Sequence, residues 1–424
     1  MFNGLARIEH WPTFPKQLQN AKSLYQSYQK LVTSLIKTNS YDPDISGPFA
    51  SYIRILGNAG DYNAIFDVYY AMEDEGPLAR NHLVYTAMFQ SIRAALGDTP
   101  EGRTKVAADA RLLWSQMIRA ARKNQELVPD SYVVSSAVMA LSGGGGIDHE
   151  LAFKIIAEYY GLGIQKSTSC AGKLVLSSEC LITILRFCNI TKNHTACVHF
   201  YEQVRQRADA IGGPSILDRG HMEEVLKAHL ALRLPGLGCQ SLQLLKWMLR
   251  QESTGCNGPK IRPSLATYSL AIQACFYSAD WDSAKRIFEL TTGYRADDFT
   301  DEYVAKSPIV KTRNFDQNLT PNAEFMFLML RTAIATKNTA YLRQAVRIVG
   351  HLGYDRILSA QNGTTREPEI TKVMNKRNFI GENFNSALAD AVDLLLKGNR
   401  NHIQSHEMAK FERLGQHARR QRHS

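Results

Sequence analysis

Cysteine and histidine side chains that could bind a metal ion come close together at one place in the sequence, as Cys188, His194, Cys197 and His199. Zinc sites need such ligands on a loop or hairpin, at spacings that complete a tetrahedron. The spacing here, C-x5-H-x2-C-x-H, matches none of the common zinc patterns, and both cysteines fall on apolar faces of predicted helices. We therefore predict no metal site.

A run of glycines, Gly143 to Gly146, has the composition of a phosphate-binding loop. Such a loop needs a Gly-Lys pair followed by Ser or Thr, so that the backbone amides and the lysine surround the phosphates. No lysine follows the run, and the pair Gly172-Lys173 is followed by Leu174 in place of a hydroxyl residue. The glycine run is better interpreted as a flexible corner between helices.

Four acidic residues, Asp297, Asp298, Asp301 and Glu302, could gather Mg²⁺ for phosphodiester hydrolysis. They belong to a long polar insertion, and no folded domain is predicted that would position them. This context favours a solvated loop. We therefore predict no catalytic residue and no cofactor, and we expect that the chain is not an enzyme.

The composition favours a large core and a polyanionic partner. Of 424 residues 44% are hydrophobic, and 50 Lys and Arg against 40 Asp and Glu give a net charge of +10. Such a balance favours nucleic acid, because basic side chains neutralise phosphates and release counterions. Seven cysteines without a C-x-x-C pair indicate a reducing compartment. No apolar run reaches the roughly 18 residues of a membrane span.

Apolar residues recur at helical spacing through residues 46–355, in seven pairs of short amphipathic segments. A helix pair of this size cannot bury its apolar face alone, so it needs stacked neighbours, as in a solenoid. No alternating strand pattern interrupts the pairs, which predicts an all-α fold. The predicted regions are a possible mitochondrial presequence and N-terminal helix at 1–45, the repeat array at 46–355, a polar linker at 356–383, and a C-terminal helix with a basic tail at 384–424.

The best-preserved pair, residues 262–290, resembles the pentatricopeptide repeat, a helix-turn-helix unit of about 35 residues. The residues that carry the resemblance are Tyr268, Ser269, Ala274, Asp282, Ala284 and Phe288. Leu127 to Asp130 and Thr320 to Asn322 are similar to the proline-plus-polar ending of the family's unit. The W-x2-L-G-x2-Y and A-x3-F patterns of the related tetratricopeptide repeat do not occur together here. The resemblance implies a right-handed α-solenoid.

The resemblance also implies that single-stranded RNA binds along the array. In this family the residue after the first-helix aromatic and the last residue of the unit together recognise one base. These pairs are Thr86 with Asp130, expected to favour guanine, and Ser269 with Asn322, expected to favour adenine. Ser135 is the corresponding first residue of the third pair. The alternative is that Ser or Thr at these positions only caps or solvates a helix.

The basic tail is a candidate for contacts with the RNA backbone or a partner, through Arg413, Arg419, Arg420 and Arg422. The alternative is a disordered solubilising segment.

The first 40 residues are basic, with Glu9 as their one acid. They are compatible both with a mitochondrial presequence and with the first helix of the fold. We therefore expect a mitochondrial matrix protein. It would bind mitochondrial mRNA or rRNA, free or on the mitochondrial ribosome, in RNA processing, stabilisation, splicing or translation. The alternative function is a tetratricopeptide-like scaffold that binds a peptide or helix.

Overall fold

The computed structural model describes most of the chain, as two compact units, Met1–Ile216 and Leu217–Ser424. The described residues are 2–8, 11–38, 45–73, 75–97, 99–125, 127–164, 171–303, 307–311, 318–360, 370–397 and 405–421. Within these ranges no β-strand occurs, and Tyr294 and Val310 form an isolated antiparallel bridge. The all-α prediction is therefore confirmed.

The first unit contains ten α-helices in its described part. In chain order they are α1 (Phe2–Leu5), α2 (Pro15–Lys37), α3 (Gly47–Asn58), α4 (Tyr62–Tyr70), α5 (His82–Leu96), α6 (Pro100–Lys123), α7 (Ser131–Leu141), α8 (Gly146–Tyr160), α9 (Ser178–Ile190) and α10 (His194–Gln206). Short 3-10 helices span Trp11–Thr13, Asp209–Ile211 and Pro214–Ile216.

The second unit contains nine α-helices in its described part. They are α11 (Arg219–Leu232), α12 (Leu237–Ser253), α13 (Leu265–Ser278), α14 (Trp281–Thr292), α15 (Ala323–Ala335), α16 (Thr339–Leu352), α17 (Tyr354–Ser359), α18 (Ile370–Lys397) and α19 (Ser405–Arg420). Short 3-10 helices span Gly258–Ile261 and Ala296–Phe299.

The seven predicted pairs correspond to α3–α4, α5–α6, α7–α8, α9–α10, α11–α12, α13–α14 and α15–α16. In the first unit each first helix contacts the next first helix, in the order α3, α5, α7 and α9. In the second unit the order is α11, α13, α15 and then α18. The first helices therefore form one layer within each unit, as expected of stacked helical repeats that share a core.

The N-terminal helices pack against the first helix pair. Helices α1 and α2 both contact α3, and five aromatic rings gather there: Phe2, Tyr25, Tyr28, Phe49 and Tyr52. The rings of Tyr25 and Tyr52 stack with their centroids 4.0 Å apart. Burial raises the pKa of Tyr25 to about 12. Residues within the predicted 1–45 segment thus contribute to the core of the first unit.

The C-terminal region is more helical than its polar sequence indicates. Helix α17 ends at Ser359 and α18 begins at Ile370, so both enter the predicted linker 356–383, of which residues 361–369 lie outside the described residues. The predicted basic tail forms α19, which buries Phe411 and Ala418 and packs against α18. Its apolar residues are few, but their spacing places them on one face of a helix.

Four corners between helices have a left-handed backbone at residues that carry a side chain: Lys192, Arg233, Ala279 and Lys337, with φ of 60°, 49°, 48° and 57°. This conformation costs an L-residue roughly 1–2 kcal/mol, whereas glycine loses about 0.5–1 kcal/mol in chain entropy on folding. We therefore expect Ala279→Gly to raise the free energy of unfolding by about 0.5–1 kcal/mol, measured by urea denaturation. The control is Ala59→Gly, at a helix end with φ of −79°, which should lower it. A decrease for both variants would contradict the prediction.

Candidate nucleic-acid interface

A single face of the first helices lines a cavity of the second unit. In α13 this face contains Ala266, Ser269, Leu270 and Gln273, which follow the N-cap residue Ser264 by two, five, six and nine positions. These offsets place the side chains on one side of a helix. We call this set of positions the first-helix stripe. The equivalent stripe positions of α11 are occupied by Glu223 and Lys227, and those of α15 by Glu324, Phe327 and Leu328.

The cavity in the second unit has a volume of about 510 Å³. Its walls are the stripes of α11, α13 and α15, and α18 completes it with Phe379, Ile380 and Asn383. The lining combines two carboxylates, one lysine, neutral hydrogen-bonding side chains and two phenylalanines. Such a mixture of apolar surface with a few polar groups is typical of ligand sites.

The first unit has a cavity of about 620 Å³ that involves the same helix face. In α3, Gly47, Ala50, Ser51 and Arg54 line this cavity with the same spacing from one another as the stripe residues of α13, each one position closer to the N-cap, Ser46. The N-terminal helices and α5 supply further lining residues, which include Phe2, Asn3, Tyr28, Leu35 and Leu83. The Ser51 hydroxyl donates to Asn3 Oδ1 at 2.7 Å, and Arg54 Nε is buried without a hydrogen-bond partner.

Three predicted base-recognition residues occupy equivalent stripe positions. Thr86, Ser135 and Ser269 each lie five residues after the N-cap of their helix. The Thr86 hydroxyl is buried and donates to the His82 carbonyl at 2.9 Å, within its own helix. Ser135 is partly exposed, and Ser269 is 6% exposed with no hydrogen-bond partner for its Oγ. The structure places Ser269 at a cavity, whereas it gives Thr86 an intrahelical partner.

The other two predicted base-recognition residues, Asp130 and Asn322, are helix N-caps. Asp130 Oδ1 accepts from the Val133 amide at 2.8 Å, and Asn322 Oδ1 accepts from the Phe325 amide at 2.9 Å. Asn81, Ser177, Asp218 and Ser264 do the same for four more first helices, α5, α9, α11 and α13, whereas the N-cap of α3, Ser46, makes no such bond. This capping role was not predicted for Asp130 and Asn322, although an Asp, Asn or Ser directly before an apolar-periodic segment is the sequence signal for an N-cap.

Loss of the Asn322 cap is expected to destabilise the fold. Asn322→Ala should lower the free energy of unfolding by about 1 kcal/mol, because one amide of α15 loses its partner. Asn322→Asp keeps the accepting oxygen and should change stability by less than about 0.5 kcal/mol. Urea denaturation measures both variants. Equal losses would show that the capping bond contributes nothing.

Basic side chains recur nine positions after the N-cap, at Arg186, Lys227 and Arg331, and Arg54 has the matching place in the stripe of α3. Lys227 Nζ is 2.9 Å from Glu224 Oε1, and its side chain is 51% exposed. Arg331 Nη1 is 3.0 Å from Asp390 Oδ2. This basic row lies one helical turn, about 6 Å, from the row that contains Ser269.

The predicted contact arginines of the tail differ in their surroundings. Arg413 and Arg420 are exposed on α19, whereas Arg419 forms an ion pair with Asp393. Arg422 lies outside the described residues. Lys410 and His417 share the exposed face with Arg413 and Arg420. The positive charge of the tail is therefore held on a packed helix.

The residues that could have bound a metal ion or a phosphate are instead part of the packed structure. Cys188 and Cys197 are fully buried, and burial raises the pKa of the Cys188 thiol well above its usual value. His194 Nδ1 lies 3.2 Å from Asn189 Oδ1. Among the described residues no group of three or more His, Cys, Asp or Glu side chains could hold a metal ion. The glycine run forms the corner between α7 and α8.

The acidic insertion is not simply a solvated loop. Asp298 is 9% exposed, and its Oδ2 accepts from the Ile309 amide at 2.9 Å. Asp301 Oδ2 accepts from Arg343 Nη2 at 2.6 Å. The Asp298 bond closes the insertion on itself, whereas Asp301 fastens the insertion to Arg343 on α16.

Comparison with known proteins does not assign a family, since no family model and no curated protein matches the chain. Within the described ranges, no helix combines the length and apolar character that crossing a membrane requires. The resemblance to pentatricopeptide repeats therefore depends on the quoted residues alone.

Proposed function

We propose that this chain is a non-catalytic helical-repeat protein that binds single-stranded RNA along the first-helix stripe. The helix pairs would wind as right-handed, pentatricopeptide-like repeats within each unit. Mitochondrial mRNA or rRNA would be the ligand, in RNA processing, stabilisation, splicing or translation, with the mitochondrial ribosome as one setting. The basic N-terminal composition supports the mitochondrial matrix as its location.

The observation that carries this proposal is the arrangement of two rows on one face of the first helices. The row five positions after the N-cap contains short hydroxyl side chains at Thr86, Ser135 and Ser269. The row one turn further contains the cations Arg54, Arg186 and Lys227. Bases are recognised by hydrogen bonds and stacking, and phosphates by cations, so within each unit a strand could lie with its bases on the first row and its phosphates on the second.

A salt titration tests the phosphate row. We expect the affinity for a labelled single-stranded RNA of mixed sequence to fall linearly with salt on logarithmic axes, as counterions are released. Replacing Arg54, Arg186 and Lys227 together by glutamine should reduce the slope by about 2, at about 0.7 for each phosphate contact. Fluorescence anisotropy gives the dissociation constant at each salt concentration.

The matched control neutralises three cations on a second helix. Arg119, Arg122 and Lys123 lie at the exposed end of α6, outside the stripe, and their replacement by glutamine changes the net charge by the same amount. This variant should keep the slope of the unmodified protein. Equal slopes for both variants would show that binding follows total charge alone. Absence of RNA binding together with capture of a peptide would favour the tetratricopeptide-like scaffold.

A further inference from the structure

The cavity of the second unit has two aromatic walls, one of which comes from outside the predicted repeats. Phe327 belongs to the stripe of α15, and Phe379 belongs to α18, within the segment that the sequence predicts to be a linker. Phe379 is 62% exposed although it lies beside a cavity. An aromatic ring in this situation has a free face on which a flat, apolar surface could stack.

The opposite side of the cavity presents acceptors in fixed positions. Glu223 Oε1 accepts from the Thr267 hydroxyl at 2.7 Å and from the Ser264 hydroxyl at 3.2 Å, which orients the carboxylate. Glu223 lines the cavity, and Arg219 Nε lies 3.9 Å from the same oxygen Oε1. Ser269 also lines the cavity. The residue is 6% exposed, and its Oγ has no hydrogen-bond partner. A buried hydroxyl without a hydrogen-bond partner destabilises the protein, so a ligand that hydrogen-bonds to Ser269 Oγ would bind more tightly.

We propose that this cavity binds one unpaired RNA base that carries an exocyclic amino group, stacked on Phe379 and donating to Glu223. This inference rests on the proposed function. A base fits because its ring is flat and its edge is polar. A phosphate inside the cavity would face the carboxylates of Glu223 and Glu324, and the lining cation Lys227 is paired with Glu224. The volume of about 510 Å³ leaves room for the attached ribose.

The two carboxylates also determine which base is preferred. Adenine, cytosine and guanine present an amino group that donates to a carboxylate. On the pairing edge of uracil the single N–H lies between two carbonyl oxygens, and these would face Glu223 and Glu324. Two acceptors repel each other when both are desolvated. Uracil is therefore expected to bind weakest at this cavity.

The test compares oligo(A), oligo(C) and oligo(U) of equal length at one salt concentration, with the full chain and with Glu223→Gln. Glutamine keeps an oxygen for Thr267 and adds an amide that donates to uracil. The ratio of affinities for oligo(A) and oligo(U) should therefore fall roughly tenfold in this variant. Contributions from the rest of the chain are the same in both proteins and cancel in this comparison.

Phe379→Leu tests the stacking wall and should weaken binding of all three oligonucleotides by roughly tenfold. The control Leu394→Ala removes another exposed apolar side chain from the same helix, away from the cavity.

Ser269→Ala tests the buried hydroxyl and should weaken the binding of oligo(A). Its control is Ser241→Ala, because the Ser241 Oγ is also buried without a partner but lies on α12. The controls should leave the affinities unchanged.

The outcomes separate this inference from the proposed function. RNA binding with an unchanged oligo(A) to oligo(U) ratio in Glu223→Gln, and with Phe379→Leu equal to its control, would overturn the base site alone. No binding of any oligonucleotide would overturn the proposed function as well. Binding of an arginine-rich peptide that both variants weaken, without an effect on RNA, would assign the cavity to a basic peptide.

Discussion

Replacing Arg347 by methionine is expected to lower the free energy of unfolding by about 3–5 kcal/mol, because it leaves a buried carboxylate unpaired. Arg347 on α16 is 11% exposed and Glu407 on α19 is 12% exposed. Arg347 Nη2 donates to Glu407 Oε2 at 3.0 Å, and Nη1 lies 2.7 Å from Asp301 Oδ1. Nη1 also donates to the Phe299 carbonyl at 3.2 Å. One side chain therefore joins the insertion, the last repeat and the C-terminal helix.

Urea denaturation of the full chain measures this effect, and limited proteolysis reports whether α19 is released. The control is Arg356→Met, since Arg356 is exposed on the neighbouring α17. The double variant Arg347→Met with Glu407→Leu should recover most of the loss, because it removes both buried charges. A loss below about 1 kcal/mol for Arg347→Met, within the range of surface ion pairs, would contradict the prediction.

Acid should weaken the same connection. Hydrogen bonds from Arg343, followed by those from Arg347, hold the pKa of Asp301 below its ordinary value. A carboxylate with a lowered pKa in the folded state stabilises the fold at neutral pH, and this contribution is lost as the pH falls through the lowered value. Arg347→Met should therefore reduce the dependence of stability on pH in the acid range.

The helix pairs could be predicted from the sequence because their signals are local. A 3.6-residue period of apolar side chains depends on neighbours within the same helix, so Tyr268, Ala274, Ala284 and Phe288 were expected in the core, and all four are buried. The start of α6 has a different signal, because its first turn is polar and lies outside the apolar period. Helix α6 begins at Pro100 with Thr99 as its cap, a proline and cap signal that the apolar period alone does not include.

The contacts of the C-terminal region could not be predicted in this way. Glu407 and Asp301 pair with Arg347 across long sequence separations, and no local pattern specifies such partners. Residue 379 was predicted to lie in a polar linker, so Phe379 was not considered as a cavity residue. Glu223 and Phe327 could have been found, because they share the offset of Ser269 from the preceding cap.

Replacing Gly57 by leucine is expected to destabilise the first unit by about 3 kcal/mol or more, through overpacking of α3 against α5. A Cβ atom at Gly57 would lie 2.5 Å from Ser91 Cβ and 2.6 Å from Ser91 Cα. Because one of these atoms belongs to the backbone, a change of rotamer cannot relieve the contact, and the two helices would have to separate. Helices α3 and α5 belong to the layer that presents the stripe, so this variant should also weaken the RNA binding that we propose.

The alanine variant makes the test sharper, because helix propensity and packing predict opposite signs. In a helix, alanine is favoured over glycine by about 1 kcal/mol, so Gly57→Ala would be stabilising if the helices were loosely packed. The close approach to Ser91 predicts a loss of about 1–3 kcal/mol instead. Gly146→Ala in α8 is the matched control, since a Cβ there meets no atom within 4 Å and should not destabilise the protein. Urea denaturation that shows a gain for Gly57→Ala would contradict the close packing of α3 against α5, the contact that sets the spacing of the stripe in the first unit.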